Sequence, residues 1–325
     1  MGTPSLDLVA PRGYCAGVDR AIETVERVLD EQGAPVYVRG EIVHNQHVVR
    51  TLAERGAVFV DTPEEVPEGS TIVLSAHGSA PEVYARCAAR NLRVVDATCP
   101  LVSKVHAEVR RYAGRGATVL LIGHTHHDEV VGTRGEAPDQ VIVVEDIAQA
   151  ERVQVPDPDR VAVTTQTTLS LDDTAEILAV LRRRFPTLAA PASSDICYAT
   201  QNRQDAVKGA VAAGAELVLV VGSQNSSNSQ RLVEVARAGG GEVTPWPLAR
   251  AGGADAHLID DVGDLEPAWL EGRSRVALTA GASAPEVLVR EVAEALEARG
   301  YLRGGEEQPT QEGVVFALPP GLRAE

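Results

Sequence analysis

The chain has 325 residues, 44% apolar and 23% charged, long enough for two or three domains and too rich in apolar residues to stay disordered. Its net charge of −16 argues against nonspecific attraction to nucleic acid or an anionic membrane surface, and no apolar run reaches the roughly 18 residues of a membrane span. Four cysteines at this length are no disulfide framework, so thiols kept reduced in a cytoplasmic setting, available to a metal or to catalysis, are expected.

The opening "MGTPSLDLVAPRG" lacks a basic segment followed by a long apolar one, and no secretory signal is expected. "SLDLVA" reads as a strand, followed by "PRGYCAGVDRA", where Cys15 stands beside Gly13 and Gly17 at the mouth of a helix over about 19–29. The strand "PVYVRG" leads through "RGEIVHN", with His44, into a helix over 45–55. "TIVLSA" ends in "LSAHGSA", with His77, and a helix over 81–90 carries Cys87 at its middle. "LRVVDA" runs into Cys99 and a helix over 101–115. "TVLLIG" ends in "LIGHTHHDEV", with His127 and Glu129, and "VIVVE" follows. "RVAVTTQ" ends in "TTQTTLS", with Gln166, Thr167 and Thr168, ahead of a helix over 171–185. Cys197 in "DICYATQNRQ" precedes a helix over 201–213. "LVLVVG" ends in "VVGSQNSSNSQ", with Ser226, Ser227 and Asn228, before a helix over 229–238. Residues 243–256, rich in Pro, Gly and Ala, read as a peripheral surface insertion. "RVALTA" ends in "LTAGASAP", with Ser283, and a helix over 285–299 follows. The tail is linker-like, with a short strand candidate at 314–318.

Continuous apolar strands joined by amphipathic helices indicate an α/β fold with buried parallel sheets. Cys15, Cys99 and Cys197 recur at intervals the size of a small α/β module, each where a helical pattern begins. This is a threefold repeat of architecture with little sequence identity. The expected modules are 16–98, 99–196, and 1–15 together with 197–300, with 301–325 as the tail. After each cysteine come two strand ends with polar loops, and parallel α/β sheets hold ligands at the carboxyl ends of their strands.

Three thiolates from three modules would make a metal or cluster site, and a helix N-terminus favours the thiolate that ligates. Zinc sites often use closely paired cysteines, absent here. Widely separated single cysteines suit a cubane iron–sulfur cluster, whose fourth iron would stay open to substrate. The plainer reading is buried apolar cysteines, and it is preferred for Cys87. His44, His77 and His127 offer imidazole N–H donors, and Ser226, Ser227, Asn228 and Ser283 add hydroxyl and amide donors suited to a phosphorylated ligand. His47, His106, His124, His126 and His257 are read as structural, and the "HTHH" cluster is a weak metal signal. Glu129 could relay protons with help from Gln166, Thr167 or Thr168, or be a solvated loop acid. "TQTTLS" also reads as an N-cap for the helix beginning at Leu171. A non-catalytic phospholigand-binding protein and a zinc hydrolase using the His and Cys residues are the competing readings.

The segments "PRGYCAGVDRAI", "VHN", "SAHG", "DATCPLVSKVH", "QTTLS", "DICYATQNRQ", "VGSQNSSNSQRL" and "TAGASAPE" together resemble the 4-hydroxy-3-methylbut-2-enyl diphosphate reductase family (LytB/IspH), in the family's order from Ser5 to about Gly300. The resemblance implies a cytoplasmic iron–sulfur oxidoreductase that dehydroxylates an allylic diphosphate at the end of the methylerythritol phosphate route to isoprenoids. It implies a [4Fe–4S] cluster on Cys15, Cys99 and Cys197 with one open iron, and three α/β modules in a pseudo-threefold cloverleaf around it. It implies diphosphate binding by His44, His77, His127, Ser226, Ser227, Asn228 and Ser283, and a proton relay through Glu129 with Thr167. Electrons would come from a ferredoxin- or flavodoxin-type partner, since no GxGxxG fingerprint follows a strand here. Nucleic acid and membrane are not expected partners. Two departures stand out: Asp128 replaces the family's common proline in "HDEV", and the stretch at 243–256 makes that region longer than usual.

Overall fold

The computed structural model describes residues 3–239, 253–304 and 312–322. Among them, twelve strands form three parallel sheets. The strands are β1 (Ser5–Leu8), β2 (Val36–Arg39), β3 (Ala57–Val60), β4 (Thr71–Leu74), β5 (Arg93–Asp96), β6 (Thr118–Ile122), β7 (Val141–Val144), β8 (Val161–Thr165), β9 (Leu217–Val221), β10 (Asp255–Ile259), β11 (Arg275–Ala280) and β12 (Leu302–Arg303). Two compact units divide the described residues. One lies within Met1–Cys15, His44–Val48 and Tyr198–Val314 and contains the five-stranded sheet; the other lies within Ala16–Val43, Val49–Cys197 and Val315–Glu325 and contains the four- and three-stranded sheets.

The sheets share one strand order. The four-stranded sheet runs β3-β2-β4-β5, the three-stranded one β7-β6-β8, and the five-stranded one β10-β9-β11-β1-β12. Cys99 follows β5 and Cys15 follows β1, each a neighbour of the strand that closes its sheet's helical crossover. Beside β8 the corresponding strand is reduced to a single parallel bridge, Ala162 with Ala189, ahead of Cys197. Three α/β modules built on one plan account for the threefold spacing of the cysteines.

Every residue of β8 and β9 is buried, as expected of parallel strands covered by helices on both faces. With aromatic residues at only 3% of the chain, the cores are mainly Val, Leu, Ile and Ala. Leu219 is a test of that packing. It is fully buried, sits opposite Leu278 of β11 and His257 of β10, and belongs to the cluster that includes Leu217, Val289 and Val292. Leu219→Ala is expected to cost about 2–5 kcal/mol, read as a lower urea midpoint.

Several expectations need correction. Ala57–Val60, Asp255–Ile259 and Leu302–Arg303 are strands that the pattern did not reveal. Each lies at a sheet edge: β10 begins at Asp255 and carries His257, which break its apolar run, β12 has only two residues, and β3 is a four-residue apolar run too short for its period to be read. Asp255 and Ala256 therefore end the supposed insertion inside a sheet; residues 243–252 of it lie outside the described residues. The tail candidate at 314–318 alternates in burial residue by residue but forms no strand, leaving Val315 90% exposed. The short helices Asp128–Arg134, Ile147–Arg152 and Pro267–Leu270 were also not expected; none is long enough to show a period. No described helix is long and apolar enough to cross a membrane.

Candidate active site

Cys15 immediately precedes the helix Ala16–Gln32, Cys99 is the N-cap of Pro100–Ala113, and Cys197 immediately precedes Tyr198–Ala212. The first and third helices start three residues earlier than the apolar pattern suggested, which brings each cysteine to the helix mouth. None of the four cysteines is in a disulfide. The three at helix mouths are half-buried, whereas Cys87 is fully buried among Val60, Val66, Ile72 and Leu74, and burial pushes its thiol up.

The backbone around the three is also repeated. Cys15 N–H donates to Ala282 O (3.2 Å), Cys99 N–H to Ala76 O (3.0 Å) and Cys197 N–H to Thr167 O (3.0 Å). Each acceptor lies two residues beyond the end of a strand: β11, β4 and β8 respectively. Three thiols at positions where the helix dipole favours negative sulfur, each on a residue whose backbone N–H makes an equivalent hydrogen bond, are a donor set that fits an iron–sulfur cluster. A buried cysteine such as Cys87 lacks all of these features.

A second repeat concerns the polar candidates. His44, His127 and Ser226 each lie five residues beyond a strand, after β2, β6 and β9. His77 and Ser283 lie three residues beyond β4 and β11, and Thr168 occupies that place after β8.

In the unit containing the smaller sheets, Glu129 is not in a loop. It is the second residue of the helix Asp128–Arg134, capped by His127, whose Nδ1 accepts from Glu129 N–H (3.2 Å). That bond selects the neutral tautomer in which Nε2 carries the proton. Consecutive helical residues point in different directions, so Asp128 faces solvent with its side chain 54% exposed while Glu129 is buried. Thr167 N–H donates to Glu129 Oε1 (2.7 Å) and Thr167 Oγ1 to Oε2 (3.0 Å). Burial raises the Glu129 pKa from 4.5 to about 7, against the lowering effect of both Thr167 bonds, and Asp195 adds a smaller push upward. His77 Nδ1 lies 3.3 Å from Ser75 Oγ and 4.0 Å from Asp128 Oδ2, and its ring meets the His127 ring edge-on at 6.0 Å. Gln166 Oε1 accepts His124 N–H and its Nε2 donates to Thr168 Oγ1. Ser170 caps the next helix, as the "TQTTLS" pattern allows.

In the unit containing the five-stranded sheet, Ser226 caps the helix Ser227–Ala238 and accepts from Ser229 Oγ (3.0 Å). Ser227 and Asn228 follow on its first turn, where amide N–H groups favour anions. Asn228 Oδ1 accepts Ala282 N–H (2.8 Å), the same bond that Glu129 makes to Thr167 in the other unit, and its Nδ2 donates to Thr200 Oγ1 (3.3 Å). Ser283 Oγ donates to His44 O (2.9 Å), and Asn225 Nδ2 lies 3.4 Å from His44 Nδ1. A Cβ on Gly222 or Gly281 would come within 2.2 or 2.0 Å of Ser229 Oγ, so only glycine lets these strand ends approach the helix mouth.

Two buried arginines that the sequence reading did not single out secure the Cys15 loop. Arg12 pairs with Glu286 (2.8 Å), and Arg203 donates to Gly13 O (2.8 Å) while pairing with Glu312 (3.1 Å). Gly13 has φ +73°, a conformation suited to glycine. For Arg12 the available signal was a charged residue within a glycine-rich loop beside a cysteine; Arg203, inside the helix Tyr198–Ala212, had none. Of the histidines read as structural, His106 is buried against Glu136 (2.7 Å) and His257 stacks on Trp269 at 3.8 Å.

Comparison with known proteins adds an independent line. The family model described as LytB protein matches residues 6–297. A 4-hydroxy-3-methylbut-2-enyl diphosphate reductase of Mycolicibacterium paratuberculosis is 57% identical over 317 residues, 98% of this chain and 92% of that protein. One from Acidothermus cellulolyticus is 54% identical over 318 residues, 98% of this chain and 90% of that protein. Among solved structures, the E-1-hydroxy-2-methyl-but-2-enyl-4-diphosphate reductase of Plasmodium falciparum superposes with a TM-score of 0.88 at 35% identity, covering 99% of this chain and 97% of that one. A structure of (E)-4-hydroxy-3-methyl-but-2-enyl diphosphate reductase, described as the terminal enzyme of the non-mevalonate pathway, gives 0.60 at 30% identity, covering 90% of this chain and 99% of that one.

Proposed function

The chain belongs to the LytB protein family, and on that footing we propose that it reductively dehydroxylates 4-hydroxy-3-methylbut-2-enyl diphosphate to isopentenyl diphosphate and dimethylallyl diphosphate, the last step of the methylerythritol phosphate route. The observation that carries the reading is the bonding of Thr167. Its N–H and hydroxyl hold Glu129, while its carbonyl accepts the N–H of Cys197. A single residue thus links a buried acid to the backbone of a cysteine at a helix mouth.

Cys15, Cys99 and Cys197 would hold a [4Fe–4S] cluster with one open iron; Cys87, in the apolar core, would not. When bound, the cluster supplies two electrons, one at a time, and a Lewis-acidic iron. The overall change takes up two electrons and two protons: the C–O bond breaks, one proton leaves with the hydroxyl as water, and the other ends on carbon at either end of the allyl group. Glu129, with a pKa near 7, keeps its proton in about half of the molecules at neutral pH, and the Thr167 hydroxyl against Oε2 can pass it on. The His127 Nε2–H, with His44 and His77, donates to the diphosphate. Ser226, Ser227, Asn228 and Ser283 supply the remaining donors, with Asn228 also orienting the Ser283 loop through Ala282.

The reading includes a ferredoxin- or flavodoxin-type electron donor and a cytoplasmic setting, where thiols stay reduced. It takes the modules as 16–98, 99–196, and 1–15 with 197–300. Anaerobic purification tests it. A brown protein with about four iron and four sulfide per chain, in line with a cubane cluster, that reduces the allylic diphosphate with an artificial one-electron donor supports the reading. A colourless zinc-bound or metal-free protein without that activity overturns it.

A further inference from the structure

We propose that Lys104 and Asp195 form a positioning pair that holds the segment leading to Cys197 against the helix opened by Cys99. Lys104 lies on the second turn of that helix. Its Nζ donates to Asp195 Oδ1 (3.2 Å), Ser193 Oγ (3.0 Å), Ser194 O (3.1 Å) and Ser193 O (3.4 Å). One ammonium group thus gathers three successive residues of the 193–195 segment. The partner carboxylate has no exposed side-chain surface, while Lys104 keeps a third of its own.

Both Asp195 oxygens are committed. While Oδ1 takes Lys104, Oδ2 accepts from Thr164 Oγ1 (2.8 Å) and Thr165 N–H (3.2 Å) at the end of β8. Asp195 therefore ties the Cys99 helix, the β8 end and its own segment together two residues before Cys197. That segment has little order of its own. Between the helix ending at Arg184 and the one starting at Tyr198 the described chain forms no strand: it makes the Ala162–Ala189 bridge, local turns such as Ile196 N–H to Ser194 Oγ (3.2 Å), and isolated bonds from Thr187 to Asp159 O and from Cys197 N–H to Thr167 O. Here, where the other modules have a full strand ahead of the cysteine, a charge-assisted bond across the sequence takes over the strand's task.

Glu108 lies 4.0 Å from Lys104 on the same helix, and its carboxyl group also interacts with Asp195. Without the ammonium, two acids would face each other with nothing between them to balance Asp195. A buried carboxylate stripped of its cation relaxes by moving towards water, and it would carry the Cys197 segment with it.

The inference rests on the reading that Cys99 and Cys197 ligate one cluster, and the experiment separates the two. In the full-length metal-free chain, iodoacetamide labelling of each cysteine is followed by mass spectrometry for wild type, Lys104→Met, Lys104→Arg and Asp195→Asn. Lys104→Met, which keeps the apolar stem, is expected to speed labelling of Cys197 about tenfold relative to Cys15. Cys87 should stay unreactive, and Lys104→Arg should recover most of the wild-type ratio. Unchanged Cys197 labelling overturns the proposal, and so does equal acceleration at all four cysteines, which would mean only general loosening. Iron loss to a chelator from the reconstituted protein is the second arm. Faster Cys197 labelling with unchanged iron loss would uphold the positioning pair and sink the ligand assignment of Cys197.

Discussion

Cys99→Ser is expected to yield a colourless or nearly colourless protein whose turnover falls by well over the roughly 100-fold that disturbing a ligand's surroundings can cost. Serine keeps the size and the helix-mouth position, yet its hydroxyl stays protonated at neutral pH and cannot replace a thiolate. Cys15→Ser and Cys197→Ser should behave alike, because their peptide N–H groups are held by the same bond to a strand-end carbonyl. Cys87 provides the contrast. Its side chain is fully buried in the core cluster beneath β4, so Cys87→Ala should leave iron, sulfide and turnover per folded chain unchanged and reduce stability only. The measurement is iron and sulfide content with turnover for all four variants. Equal loss of iron in the Cys87 and Cys99 variants would contradict the assignment.

Glu129→Gln is expected to bind substrate but turn over about 10²–10⁴-fold more slowly, the usual loss when a positioned acid is removed. The amide preserves size and can still accept from Thr167, but it has no proton to give. The pH dependence follows from the raised pKa. With its value near 7, Glu129 is the acid form below neutrality, and the wild-type rate should fall as pH rises through about 7. That falling limb should vanish in Glu129→Gln. Stability runs the same way. A carboxyl whose pKa rises from 4.5 unfolded to about 7 folded contributes fully below 4.5, and its contribution is lost as pH climbs to 7. The wild type should therefore lose stability relative to the glutamine variant across that window. Asp128→Asn should be mild, since Asp128 faces solvent. Normal turnover in Glu129→Gln with failure of Asp128→Asn would move the relay to Asp128.

Much of this was legible in the residues. Apolar runs marked nine strands, and the residues His44, His77, His127, Ser226 and Ser283 do follow strand ends, as the polar loops suggested. These are local properties: a buried parallel strand needs consecutive apolar side chains, and a helix mouth favours particular residue types wherever the chain goes next. The edge strands β10 and β12 escaped because a strand paired on one side can be half polar, the apolar β3 because four residues are too few to show a period, and the alternating tail at 314–318 misled because alternation does not by itself provide a neighbour to pair with.

What only the tertiary structure decided was which neighbours the polar groups meet. "HDEV" offers two acids side by side; the start of a seven-residue helix turns Glu129 inward onto Thr167 and Asp128 outward. Asn228 reads as a ligand donor, and the fold gives its amide a second task, with Ala282 and Thr200 as partners. Lys104 and Asp195 are 91 residues apart and meet because the chain returns beside β8 without a full strand to bring it there. Local preference depends on a few adjacent residues, whereas burial and hydrogen-bond partners depend on which distant segments pack together, and burial is what moves the Glu129 proton affinity to neutrality.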